Sequence, residues 1–277
     1  MHPRTIPALS LAVVLAGCGA KPGAQAGAAS AEPHLLRIVA ADFKYDAPDT
    51  VTSGLTAIRL VNQGSTFHHL QLIRLDQGKT VGDIAQAMQS AGPPPAWATM
   101  VGGPNAAMPG DSSTAILPLD PGTYGLICLI PGPTGAPHFA MGMTRQLTVT
   151  GPVAAVMEPA VDDTIRLVDY DFQFTTALRA GHHAIRVENA GQQPHELVLV
   201  RLNDGRTAAD FAAWAEKMAG PPPAEAKGGV TGILPGEHNV IEVDLPAGNY
   251  ALVCFFPDMK DGQPHLAHGM MKAITVS

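Results

Sequence analysis

Two histidines, a cysteine and a methionine recur in the same order in each half of this chain, about 127 residues apart. Asn62-Gln-Gly64-Ser-Thr-Phe-His68 returns as Asn189-Ala-Gly191-Gln-Gln-Pro-His195, and Tyr124-Gly-Leu126-Ile-Cys128 as Tyr250-Ala-Leu252-Val-Cys254. Pro137-His138-Phe-Ala-Met-Gly142-Met143 returns as Pro264-His265-Leu-Ala-His-Gly269-Met270. One thiolate and two imidazoles form a soft trigonal donor set, and a thioether adds a weak fourth ligand; that combination serves copper in either oxidation state. The same His2Cys set also suits zinc. The candidate ligands are therefore His68, Cys128, His138 and Met143, and His195, Cys254, His265 and Met270.

Strands must carry these residues. Leu36–Ala40 and Ile165–Val168 alternate with the period of half-buried strands, and Ala57–Val61 and Ala184–Val187 lead into the Asn-x-Gly turns. Asp42-Phe-Lys-Tyr45 aligns with Asp171-Phe-Gln-Phe174, and Leu70–Leu75 and Leu197–Leu202 read as strands. Alternation places Tyr124, Leu126 and Cys128 on one face, and Tyr250, Leu252 and Cys254 likewise. Between the first histidine and the cysteine, Thr80-Val-Gly-Asp83 and Thr207-Ala-Ala-Asp210 predict capped helices that run to Gly92–Pro95 and Gly220–Pro223. Each half closes with a hairpin-like pair ending in Gln146–Thr150 or Ala273–Ser277.

Hydrophobic residues make up 46% of the chain and charged ones 15%, so each half can bury a core. The 29 Gly and 25 Pro between short apolar runs favour an all-β fold. A net charge of -7 without a basic stripe excludes nucleic acid as a partner. Met1–Arg4, the apolar Ile6–Leu15 and Leu15-Ala16-Gly17-Cys18 resemble a bacterial lipoprotein signal. That implies cleavage before Cys18, lipid on its sulfur, and residence in the cell envelope facing the periplasm or exterior. An ordinary secretory signal is the alternative, with export in either case. The expected organisation is a signal over residues 1–17, a flexible tether over 18–31, domains over 32–150 and 164–277, and a linker over 151–163. If both remaining cysteines point into their own domains, their Cα atoms cannot come within the ~7 Å that a disulfide needs.

Both halves resemble the cupredoxins, the plastocyanin-like blue copper family, over nearly all of the chain that follows the signal. The resemblance rests on the Asp-Phe-x-Tyr/Phe strand, the Asn-x-Gly turn, the upstream histidine and the Gly-Met terminus. It implies two Greek-key β-sandwiches, each with a short helical insertion, and copper at one end of each, one ion per domain. It also implies electron transfer, with a redox partner protein or a copper-handling protein as partner. No His-x-His or His-Cys-His cluster of the multicopper oxidases is present, nor a Gly-x-Ser-x-Gly, P-loop or His-Glu-x-x-His motif, so no enzymatic activity is expected. Copper storage, delivery or resistance is a second reading. A metal-free interaction module with buried cysteines is a third.

The loops from cysteine to histidine hold nine residues in the first half and ten in the second, longer than is usual in that family. Loops of that length predict a less preorganised site. His138 and His265 are expected to carry electrons out through an apolar collar at Phe139 or Leu266, with His68 and His195 buried. His34, His69, His182, His183, His238 and His268 lack counterparts and are expected at the surface.

Overall fold

The computed structural model describes residues 1–2, 32–89, 94–153 and 157–277. Residues 3–17 of the signal, Cys18 and the tether lie outside the described residues, as do parts of the linker and of the first Gly-Pro-Pro-Pro segment. Among the described residues no helix is long and apolar enough to cross a membrane.

The first half contains β1 (His34–Ala41), β2 (Lys44–Asp46), β3 (Thr50–Thr52), β4 (Gly54–Asn62), β5 (Gln71–Leu75), α1 (Val81–Ala87), β6 (Ala98–Gly102), β7 (Ser112–Leu119), β8 (Gly122–Ile127) and β9 (Thr144–Thr150). The second contains β10 (Asp163–Val168), β11 (Asp171–Phe174), β12 (Gly181–Asn189), β13 (His195–Leu202), α2 (Ala208–Ala215), β14 (Ala224–Ile233), β15 (His238–Leu245), β16 (Gly248–Val253) and β17 (Met271–Val276). The all-β class with helical insertions is the one found. Each half stacks two sheets on an apolar core, and the alternation around each cysteine holds. Tyr124, Leu126 and Cys128 lie in one core; Tyr250, Leu252 and Cys254 lie in the other. Both cysteines are buried and unpaired by disulfide.

Both helices begin as predicted. Thr80 and Thr207 each accept the N–H three residues on, while Asp83 and Asp210 bond back to the cap. They end earlier than predicted, at Ala87 and Ala215, so proline is not what stops them. Ile84 and Phe211 are the residues that anchor them to the sheet.

The halves are not separate bodies. Their sheets run through as one eight-stranded sheet, β11-β10-β12-β15-β7-β4-β1-β2, and one nine-stranded sheet, β17-β16-β13-β14-β6-β5-β8-β9-β3. The junctions are β7 with β15 and β6 with β14, both antiparallel. At each junction a residue meets its own counterpart: Ala115 pairs with Ile241, and Pro104 with Val230. The Asn105 N–H bonds Gly229 O at 3.1 Å, and reciprocally the Thr231 N–H bonds Gly103 O at 3.0 Å. This is the self-complementary contact of a twofold dimer, made within one chain. Gly103 (φ 131°) and Gly229 (φ 129°) permit it, because a Cβ on either would collide with the carbonyl oxygen of Leu70 or Leu197.

Candidate metal centres

At one end of each sandwich the turn after β4 or β12 delivers the first histidine. Asn62 accepts the Gly64 N–H at 2.8 Å through Oδ1 and donates to Thr66 O and Ala107 O; Asn189 repeats this with Gly191, Gln193 and Ile233. Glycine is required third in that turn. A Cβ on Gly64 would lie 2.6 Å from His68 Nε2, and one on Gly191 2.7 Å from His195 Nε2. The space is used by a carboxylate: His68 Nε2 lies 3.3 Å from Asp42 Oδ1, and His195 Nε2 2.5 Å from Asp169 Oδ1. Donation of Nε2–H to these carboxylates leaves Nδ1 as a free lone pair aimed inward.

Those contacts correct the sequence alignment. The counterpart of Asp42 is Asp169, not Asp171. The strand register agrees, since Ala40 pairs with Tyr45 and Leu167 with Phe172. Tyr45 thus corresponds to Phe172, and Phe43 to Tyr170.

The long loops are also better ordered than their length predicts. Cys128 O accepts from Phe139 N and Ile130 O from His138 N, Pro131 bridges Pro137, and Gly132 N donates to Ala136 O at 2.7 Å. In the second half Cys254 O accepts from Leu266 N and Phe256 O from His265 N, Pro257 bridges Pro264, and Asp258 N donates to Gln263 O. Each loop is therefore a small hairpin that extends away from the site and returns the histidine beside the cysteine. The 3-10 turns His138–Met141 and His265–His268 then carry the chain to Met143 and Met270, whose N–H groups bond back to His138 O and His265 O.

Three donor atoms converge in each half. His138 Nδ1 lies 3.2 Å from His68 Nδ1 and 3.5 Å from Cys128 Sγ. His265 Nδ1 lies 2.9 Å from His195 Nδ1 and 3.4 Å from Cys254 Sγ. All six ligand residues are fully buried, as are Met143 and Met270 in the same cores. Ligand atoms of one first-row ion keep separations of this order when metal–nitrogen bonds are near ~2.0 Å and metal–sulfur near ~2.3 Å. His68 and His195 each aim an Nδ1 lone pair at a second imidazole nitrogen and a sulfur, a donor set that fits a cation. The soft thiol and the methionine at the same end favour copper over zinc. Without metal, burial pushes the Cys128 thiol up to about 11 and the Cys254 thiol higher still. Burial pushes His138 and His265 down to about 4. Metal binding must then expel the thiol proton.

Two expectations fail here. His138 and His265 present no ring edge to solvent: Phe43 covers the first and Tyr170 the second, edge-on at centroid distances of 5.2 and 5.3 Å. Phe139 and Leu266 form no collar; they pack in the clusters beneath α1 and α2. His69 is likewise buried rather than on the surface, and its Nε2 accepts the Leu129 N–H at 2.7 Å. Glu196, its counterpart, accepts the Phe255 N–H at 3.1 Å. Of the others, His34, His182 and His268 are exposed, and His183 and His238 half-buried. Asp42, Asp169, His69 and Glu196 carry no sequence signal of their own beyond nearness to the candidate ligand motifs.

No protein-family model matches the chain, and no characterised protein matches it by sequence. Among solved structures it is similar to dithionite-reduced auracyanin from the photosynthetic bacterium Roseiflexus castenholzii (24% identity, 42% of this chain and 97% of that one, TM-score 0.29). It is also similar to auracyanin A, a "blue" copper protein from Chloroflexus aurantiacus (23% identity, 43% and 100%, TM-score 0.32). The blue copper oxidase from Nitrosomonas europaea spans both halves (14% identity, 89% and 86%, TM-score 0.24).

Proposed function

We propose that the protein is an electron carrier of the cell envelope that binds one copper ion in each half. The observation that carries this reading is the convergence of two Nδ1 atoms and one sulfur, repeated in two buried pockets. Bound there, copper supplies a reversible one-electron couple. His68, Cys128 and His138, with Met143 as the weak fourth donor, would hold it in the first half; His195, Cys254, His265 and Met270 would hold it in the second. Asp42 and Asp169 fix the imidazole tautomers, and the hairpins fix the ligand spacing, so little in the chain has to move as the charge of the site changes. Complete burial of the ligands favours retention of the metal over its delivery. Phe43 and Tyr170, half-buried over the loop histidines, are the side chains through which a redox partner would approach. Lipid on Cys18 would keep the carrier at the membrane, and Cys18→Ala protein should leave the membrane fraction.

The direct test is reconstitution of the purified protein with Cu²⁺, with metal analysis and visible spectroscopy. Two tightly held ions per chain, with an intense visible thiolate band that bleaches on reduction and returns on oxidation, are expected. Colourless protein without bound copper would refute the reading.

A further inference from the structure

The hairpin beside the second centre holds a buried carboxylate that the first hairpin lacks. Asp258 is buried, and its place in the first half is taken by Gly132. The proline bridges fix that correspondence, Pro131 with Pro137 in one hairpin and Pro257 with Pro264 in the other. Asp258 Oδ2 accepts from the Tyr170 hydroxyl at 2.5 Å and from Gln193 Nε2 at 3.0 Å, and Oδ1 accepts from the Lys260 N–H at 2.8 Å. All three partners donate, so the side chain is held as the anion. The same Oδ2 lies 3.8 Å from His265 Nε2, which is buried without a hydrogen-bond partner. With Nδ1 turned to the donor cluster, Nε2 carries the ring proton, and the carboxylate faces the proton-bearing side of a ligand ring.

His138 Nε2 is buried and unpartnered in the same way, but no carboxylate stands at the matching place. A Cβ on Gly132 would lie 2.4 Å from Met141 Cε, so a thioether fills the space where a side chain at 132 would begin. Other charges nearby do not cancel the difference. Asp42 and Asp169 stand at the upstream histidines of both halves alike. Asp261 and His268 pair with each other at the surface, 3.2 Å apart, where water and salt screen them. Loss of an electron from a bound copper ion adds one positive charge to its site. A buried anion favours that more positive state, and low-dielectric surroundings enlarge the effect. We propose that Asp258 sets the second centre at a lower reduction potential than the first, so that the first half is reduced first and the second oxidised first. The couple is cupric plus one electron to cuprous, with no proton exchanged and the electron supplied by a redox partner protein. The inference rests on the copper reading above.

The test uses the full protein loaded with copper and assayed for metal content first, so that failure to bind copper is seen separately and refutes the parent reading. Potentiometric titration of the visible band should then resolve two one-electron steps in wild type. Cys128→Ser, which keeps only the second centre, should titrate at the lower potential, and Cys254→Ser at the higher. Asp258→Asn keeps an oxygen for Tyr170 and Gln193 to bond but removes the charge. It should raise the second step by about 59 mV, a tenfold change in the equilibrium for one electron, and leave the first in place. Asp258→Gly, which imports the residue of the first hairpin, should raise the second step likewise. Tyr170→Phe loosens the hairpin but keeps the charge, so it should raise neither step. A single potential for both centres of wild type, the higher potential in Cys128→Ser, an unmoved second step in Asp258→Asn and Asp258→Gly, or an equal rise in Tyr170→Phe would overturn the proposal.

Discussion

The two halves place the same three donor atoms in the same relation but support them differently. In the first, beyond the Leu129–His69 bond that Phe255–Glu196 matches, the hairpin between Cys128 and His138 is held by packing, with Phe43 over the histidine. In the second, Tyr170 covers the histidine and also donates its hydroxyl to Asp258 Oδ2 at 2.5 Å; Gln193 donates to Asp258 at 3.0 Å and accepts from Met259 N. The hairpin is thereby tied to the turn between β10 and β11. Beside the cysteine the asymmetry reverses: the Tyr45 hydroxyl donates to His69 O, whereas Phe172 in the same place has no hydroxyl to offer. Ligand identity is thus held constant while the shell around it varies, which is how one donor set can be tuned to two settings.

The largest effect that tests this comparison is loss of a ligand. Cys128→Ser and Cys254→Ser should each lower copper from two ions per chain to one by metal analysis, the other half keeping its ion; loss of both ions from either variant would break the picture of parallel sites. Next comes the orienting carboxylate. Asp42→Asn and Asp169→Asn should each weaken copper binding in competition with a chelator, within the roughly 10–100-fold range typical of such partners. The larger loss should fall on Asp169, whose contact is shorter (2.5 against 3.3 Å) and whose side chain is less exposed (27% against 39%). Tyr170→Phe should then speed hydrogen exchange at Met259 and Gly262 while leaving the hairpin of the first half unaltered. The smallest effect is one in which the halves should agree: Thr80→Ala and Thr207→Ala should each cost about 1 kcal/mol in denaturant unfolding. Hydrogen bonds to the Thr80 side chain and the Thr207 backbone, first among their causes, hold the Asp83 and Asp210 carboxyls below their ordinary value. The helical contribution is therefore present above the carboxylate range and lost as pH falls through it.

The candidate His and Cys ligands, the strand alternation around each cysteine and both helix starts are legible in the sequence because each depends on local spacing. Three features depend on tertiary pairing and are not. Asp169 stands two residues before the Asp-Phe motif that seemed to match Asp42, and only the strand register identifies it as the partner of His195. The order of the long loops comes from a backbone ladder opened at Cys128 and Cys254, whose hydrogen bonds leave no trace in residue type. His69 looked unshared because Glu196 stands at its counterpart; only the structure reveals that imidazole and carboxylate accept the same backbone amide.

The running of both sheets across the junction has a consequence for the integrity of the molecule. Severed at the linker, each half would bare two strand edges at once, β6 and β7 or β14 and β15, with their N–H and C=O groups unpaired. Each edge is matched to the counterpart of itself, so the surface best suited to cap a freed half is a second copy of that half. The two candidate centres are in this sense locked together in number, since neither half can keep its sheets paired without the other.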